Sequence, residues 1–231
     1  MSATQSELQK EFELERMILF SDAVFAIAIT LLIIEIKFPE VPKDATVPEI
    51  EELLKPVIIR FLGFILSFFF IGLMWARHLK TFKYLKKYDN GVIYRNLVLL
   101  FFIVCFPFTA SGLTEHIRPH FLLPILIYII NIACVSVSQF ILCSYLFKKK
   151  STLSVDGFET EKNYILLQSK FVALVLVIGV AVVFLVSLIF PGNTMYVLYS
   201  FYVVPVMMLF VRKALKKYKP VKPLTVRRSG T

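Results

Sequence analysis

The chain has 231 residues, 58% of them hydrophobic, with 23 phenylalanines and a mean hydropathy of +0.75. Soluble domains run nearer about 45–50% apolar, so this composition excludes one and calls for several membrane spans. The formal charge of +10 lies in connecting segments and a tail, which marks topology and attraction to anionic lipid on the cytoplasmic face, with no nucleic-acid partner implied.

Residues 1–15 read as a short amphipathic helix running into the first span, with Thr4-x-x-Glu7 as a capping box or, equally, a frayed polar end. Glu7, Glu11, Glu13 and Glu15 are unlike the basic start of a cleaved leader, so the first span is expected to stay attached. That span, about residues 17–36, is almost wholly apolar, close to the roughly 20 residues a bilayer requires. Ser21 and Asp22 interrupt it. An intramembrane carboxylate costs up to about 2.5–3.5 kcal/mol, less near a helix end, so Asp22 is expected to find a partner within the fold or to reach the headgroups. On a helical wheel Ile27, Leu31 and Ile34 share one stripe with Thr30 beside them, while Ser21 and Asp22 flank the opposite side. The stripe alone fits packing, lipid contact or a pore.

Arg16-x-x-x-Phe20-Ser21-Asp22, placed at the start of the first span, resembles the opening motif of the transmembrane protein 175 family, the lysosomal-type potassium channels and their short prokaryotic relatives. The following AVFAIAITLLIIEIK is similar to that family's first helix.

After Pro39 an acidic loop runs to about Pro56, with Thr46 as a candidate N-cap ahead of Pro48 and Glu49. The second span is about 57–76; Pro56 is placed to kink its entry, and Arg60 to sit at the interface. It ends in Trp75-x-x-His78, a second match to the family, two residues that share a helix face. A basic connection over 77–95 contains the turn signal Asn90-Gly91. The third span, about 93–113, opens with Asn96 and carries Pro107-Phe108, again as in the family. Thus the resemblance covers Arg16 to Phe108 and is topological beyond it. The segment Thr114–His120 reads as a short loop. The fourth span, about 121–147, carries Asn131, Ser136, Ser138 and Gln139, which can line water or join helices. Lys148-Lys149-Lys150 stops it, and a polar loop with an Asp156-Gly157 turn leads to about Ser169. The fifth span, about 170–190, is the most uniformly apolar and so expected to be the most lipid-exposed. Pro191-Gly192-Asn193 turns the chain into a sixth span, about 194–211, and 217–231 form a basic cytoplasmic tail. Residues 1–216 thus read as one six-helix channel domain. Cys105, Cys134 and Cys143 all fall in apolar runs and read as reduced, buried small hydrophobes.

Lys and Arg number 21 on one side of these spans and 5 on the other, which places both termini in the cytoplasm. The sequence holds no H-E-x-x-H, G-x-S-x-G or Gly-rich phosphate loop and no pair of intramembrane carboxylates, so no enzyme, cofactor or metal site is expected. No G-Y-G filter sequence occurs and no re-entrant segment fits between the last two spans.

The resemblance implies an all-α integral membrane protein of the cell membrane, six helices per chain in a homotetramer, without a P-loop filter. The first helices would line the pore, with Ile27 as the main constriction, Leu31 and Ile34 as further layers and Thr30 as a pore-lining hydroxyl. Arg16, Phe20, Ser21, Asp22, Trp75, His78 and Asn96 would brace the pore helix, and potassium would be the permeant ion. The competing readings are a proton-coupled carrier using Asp22 and His78 as a relay and a non-conducting assembly protein.

Overall fold

A computed structural model describes residues 2–34, 36–115, 123–191, 194–200 and 202–220. These are helical apart from their connections: α1 (Ser2–Ile34), α2 (Val47–Phe82), α3 (Asn90–Val104), α4 (Phe106–Glu115), α5 (Leu123–Ser144), α6 (Glu159–Ile189), α7 (Thr194–Ser200) and α8 (Val203–Lys216). Five stretches are long and apolar enough to cross a bilayer: Phe12–Ile34, Val47–Phe82, Asn90–Gly112, Leu123–Lys149 and Glu159–Ile189. The chain is therefore a multi-pass membrane protein. In hydrocarbon a backbone N–H or C=O finds no water, which is why the spanning segments are helices that satisfy their own bonds.

Local signals set the helix ends. Glu49 accepts from the Thr46 backbone N–H at 2.7 Å and from its hydroxyl at 2.8 Å, starting α2 as expected. The helix runs through Pro56 without a break. Asp89 caps α3 by accepting from the Val92 N–H at 2.9 Å, so Asn90-Gly91 forms the first turn of a helix and not a separate turn. The third span is interrupted at Cys105. Pro107 has no N–H to give to the carbonyl four residues back, and the chain restarts as α4 around it.

Three features depart from the sequence reading. The polar segment before Ser169 is already helical from Glu159, where Glu159 and Glu161 favour a helix N-terminus. The sixth span is no single helix: it is split into α7 and α8. Pro205, in the first turn of α8, cannot donate four residues back and so suits a new helix start. Finally, α6 is not the most exposed span: α1 and α2 bury a smaller share of their apolar stretches, and Leu166, Val172, Val175 and Val183 of α6 are buried against the bundle. Gly179 lets it approach α8 closely; a Cβ there would meet a Val204 methyl at 2.5 Å. The supposed turn at 192–193, most of the Thr114–His120 loop and most of the basic tail lie outside the described residues. So do the side chains of Thr4 and Glu7, although α1 already begins at Ser2, before Thr4.

α1 packs on α2, α3 and α4, while α5 joins α3 and α4 to α6. The core they enclose includes Phe25, Ala28, Leu32, Ile71, Leu99, Phe106 and Leu142. None of the three cysteines is in a disulfide. The α2–α3 and α5–α6 connections are tied together by an isolated bridge between Leu85 and Ser154, with Lys86 N–H donating to the Leu153 carbonyl at 2.7 Å and Val155 N–H to Tyr84 at 2.9 Å. The positive φ of 88° at Gly157 turns the chain back into α6.

Tyr145 donates to Asp89 at 2.7 Å beside this bridge, and a Cβ on Gly91 would collide with the Tyr145 hydroxyl. Gly91→Ala should therefore destabilise the fold by about 1–3 kcal/mol, as overpacking does, read as a lowered Tm in detergent. Burial acts to raise the Asp89 carboxyl, but the Tyr145 hydroxyl, the Val92 N–H and the Lys150 charge outweigh it and hold the group below the usual carboxylate range. Its contribution is thus complete above the unfolded value of about 3.9 and is lost as pH falls through the lower folded value. Thermal melts below about pH 4 should be less pH-sensitive in Asp89→Asn than in wild type.

Candidate functional site

The polar residues of α1 meet their partners on two neighbouring helices. Ser21, 0% exposed, donates to the Met17 carbonyl one turn back at 2.9 Å and accepts from Asn96 Nδ2 on α3 at 2.8 Å. Asn96 Oδ1 lies 2.9 Å from His78 Nε2 on α2. Because the Asn96 amide nitrogen is committed to Ser21, its oxygen must accept, and His78 must carry its proton on Nε2. The result is one directional chain: His78 to Asn96, Asn96 to Ser21, Ser21 to the backbone of α1. His78 Nδ1 is left buried without a partner. Its ring stacks on Phe82 with centroids 4.1 Å apart and packs against Phe25 at 5.5 Å.

Asp22, one position further round α1, accepts from the Trp75 indole N–H at 2.9 Å. The carboxylate therefore has a defined partner. Trp75 is 40% exposed, which places this second bond at the edge of the packed region. Of the seven residues expected to brace α1, five meet in these three side-chain hydrogen bonds. The other two do not join them: Phe20 and Arg16 are exposed. Arg16 lies near the Tyr88 hydroxyl, which donates to Glu13 at 3.0 Å.

Ile27, Leu31 and Ile34 stand on the opposite side of α1, 56%, 38% and 63% exposed. Thr30 is exposed beside them, its hydroxyl donating to the Ile27 carbonyl at 2.9 Å. The buried stripe of the same helix is Ser21, Phe25, Ala28 and Leu32, spaced to fall on one face. So α1 has an inward face held by side-chain hydrogen bonds and an outward face of aliphatic side chains and one hydroxyl.

A second polar cluster joins α2, α5 and α6. Gln139 Nε2 donates to Thr81 Oγ1 at 3.0 Å, Thr81 lies 3.3 Å from Cys143 Sγ, and Ser169 approaches the same sulfur at 3.5 Å. Asn131 donates to Thr109 at 3.4 Å. These residues join helices rather than line water. Gln139 stood out in the sequence, but Thr81 did not; its signal was its place three residues after His78, on the same face of α2. Among the described residues no group of His, Cys, Asp or Glu side chains is placed to hold a metal.

Comparison with known proteins bears on the same part of the chain. Residues 16–107 match the family described as endosomal/lysosomal potassium channel TMEM175. The match spans most of the first three membrane helices and the Ser21, Asp22, Trp75, His78 and Asn96 contacts described above. A potassium channel of Chryseobacterium sp. is 36% identical over 98 residues, covering 42% of this chain and 47% of that protein. A human relative, named endosomal/lysosomal proton channel TMEM175, is 26% identical over 141 residues, covering 61% of this chain and 27% of that protein. The chain spans about half the length of the bacterial relatives it matches. The crystal structure of a lysosomal potassium-selective channel TMEM175 homologue from Chamaesiphon minutus superposes with a TM-score of 0.66 at 25% identity, covering 88% of this chain and 98% of that one.

The His78–Asn96–Ser21 chain should behave as one unit. Asn96→Leu leaves His78 Nε2–H unpaired, at a cost of about 1–2 kcal/mol. Combined with Ser21→Ala in a double-mutant cycle, it should show a coupling of about 1 kcal/mol in detergent unfolding.

Proposed function

We propose that this chain forms a potassium-permeable channel whose conduction path is lined by α1 from several copies, a homotetramer as the family resemblance implies. The observation that carries this reading is the division of α1 into a bonded inward face and an exposed aliphatic outward face. Ile27 forms the main constriction, Leu31 and Ile34 add layers, and Thr30 offers a hydroxyl to the permeating ion. A ring of aliphatic side chains gates by dewetting: when narrow it sheds water, and an ion cannot cross without its hydration. No P-loop filter takes part. Discrimination between potassium and sodium is modest, because it rests on how tightly each ion holds its water. The Ser21, Asp22, Trp75, His78 and Asn96 contacts serve to fix the rotation that aims Ile27 at the axis.

The reading also has α7 and α8 together crossing the bilayer as a sixth pass. Their 194–216 stretch, at about 1.5 Å per residue, is long enough for a hydrocarbon core of about 30 Å. Both termini then lie in the cytoplasm, consistent with the Lys/Arg asymmetry. The cell membrane is the expected location.

The name of the human relative favours a second permeant, the proton. A relay from His78 to Asp22 gains no support from the geometry, since His78 bonds to Asn96 and Asp22 to Trp75.

Reconstitution in liposomes tests the reading. Wild-type protein should pass potassium down its gradient at fixed pH, with a reversal potential near that of potassium. Ile27→Asn should raise the flux by letting water remain at the constriction. Asp22→Ala should reduce assembly or flux. Movement of potassium only with strictly coupled protons would remove the channel reading, and no flux at all would favour an assembly protein.

A further inference from the structure

We propose that the cleft between α3 and α5, beside the Lys148-Lys149-Lys150 run, is a binding site for the headgroup of an anionic phospholipid. The cleft encloses about 200 Å³ and is lined by Arg95, Phe140, Ile141, Ser144, Tyr145 and Lys149. Its arginine is held ready. The Arg95 guanidinium lies 3.9 Å from the centroid of the Tyr145 ring and donates one N–H to the Gly91 carbonyl at 2.9 Å. That leaves most of its five donors for a ligand. The Tyr145 hydroxyl is taken by Asp89, so the ring acts as a platform on which the guanidinium is fixed.

Among the described residues neither Arg95 nor Lys149 is paired with a carboxylate; the ion pairs there are Lys55–Glu52 and Lys162–Glu159. α5 widens into a π turn over Tyr145–Lys149, which places Lys149 at the rim of the cleft. Phe140 and Ile141 lie one turn deeper along α5, with Ile141 46% exposed. A cationic rim above an apolar wall matches a phosphodiester with an acyl chain attached. A free phosphate would leave that wall uncovered. Guanidinium forks bind phosphate oxygens in pairs, and basic pockets between membrane helices on the cytoplasmic side suit anionic headgroups. Arg95 directly precedes Asn96, so a lipid held there steadies the turn of α3 that bonds to α1. The site does not depend on what the protein conducts.

The test uses the full chain purified in neutral detergent, with binding followed by native mass spectrometry and thermal unfolding. Phosphatidylglycerol should bind and raise Tm, while phosphatidylcholine and inorganic phosphate should do neither. Lys149→Gln, a change at an exposed rim position, should weaken phosphatidylglycerol binding about fivefold, and adding Arg95→Gln should weaken it about 25-fold in all, near the loss expected for each surface cation facing an anionic lipid. Lys87→Gln, an exposed lysine outside the cleft, should leave binding unchanged. Wild-type affinity in Lys149→Gln, equal binding of phosphatidylcholine, or the same Tm rise with inorganic phosphate alone would overturn the proposal. If Arg95→Gln does not fold, Lys149→Gln and the lipid comparison decide it alone.

Discussion

The hydrogen-bond chain from His78 through Asn96 to Ser21 is the constraint on which the rest of the structure depends. Inside hydrocarbon these groups have no water to fall back on, so apart from His78 Nδ1 they are matched by another side chain or by backbone. Only one rotation of α1 presents Ser21 to α3. That rotation buries Phe25, Ala28 and Leu32 as well, and it turns Ile27, Leu31 and Ile34 roughly 120° away, by the 100° per residue of a helix. Polar pairing on one face thus decides what the other face can be used for. The Asp22–Trp75 bond adds a second fixed point at the edge of the same interface.

The outward face of α1 is not alone in its exposure. Phe61, Leu62, Leu66, Phe69 and Leu73 on α2 are also exposed, so the chain offers a broad apolar surface for lipid or for further copies of itself. The second half of the chain is organised differently. There α5 and α6 are joined through buried Gln139, Cys143 and Ser169, and the bridge at Leu85 and Ser154 ties their connection to the α2–α3 loop. This anchors the helices that bear His78 and Asn96 against the rest of the bundle.

Much of this was legible in the sequence where a residue type was out of place. Ser21, Asp22, His78 and Asn96 are polar groups in apolar runs, and their need for partners predicts contact. The wheel places Ile27, Leu31 and Ile34 away from them without further information. What the sequence could not assign was the pairing. It grouped Arg16 with Asp22, whereas Trp75 is the partner that the structure provides, because the indole N–H reaches across from α2 while Arg16 lies a turn and a half earlier. Hydropathy also misjudged continuity. It counts apolar residues but is blind to missing N–H groups, so the breaks at Cys105 and before Val203, each followed by a proline, did not show as separate helices. α6 was read as the most lipid-exposed span for a related reason: uniform apolarity does not rank how much of a helix its neighbours cover.

The most direct measurement is a structure of the assembled protein in a lipid nanodisc. The account predicts that Ile27, Leu31 and Ile34 from each copy converge on a common axis, with Ser21 and Asn96 still bonded behind them. Ile27 in contact with lipid at the outer rim of the assembly would contradict it.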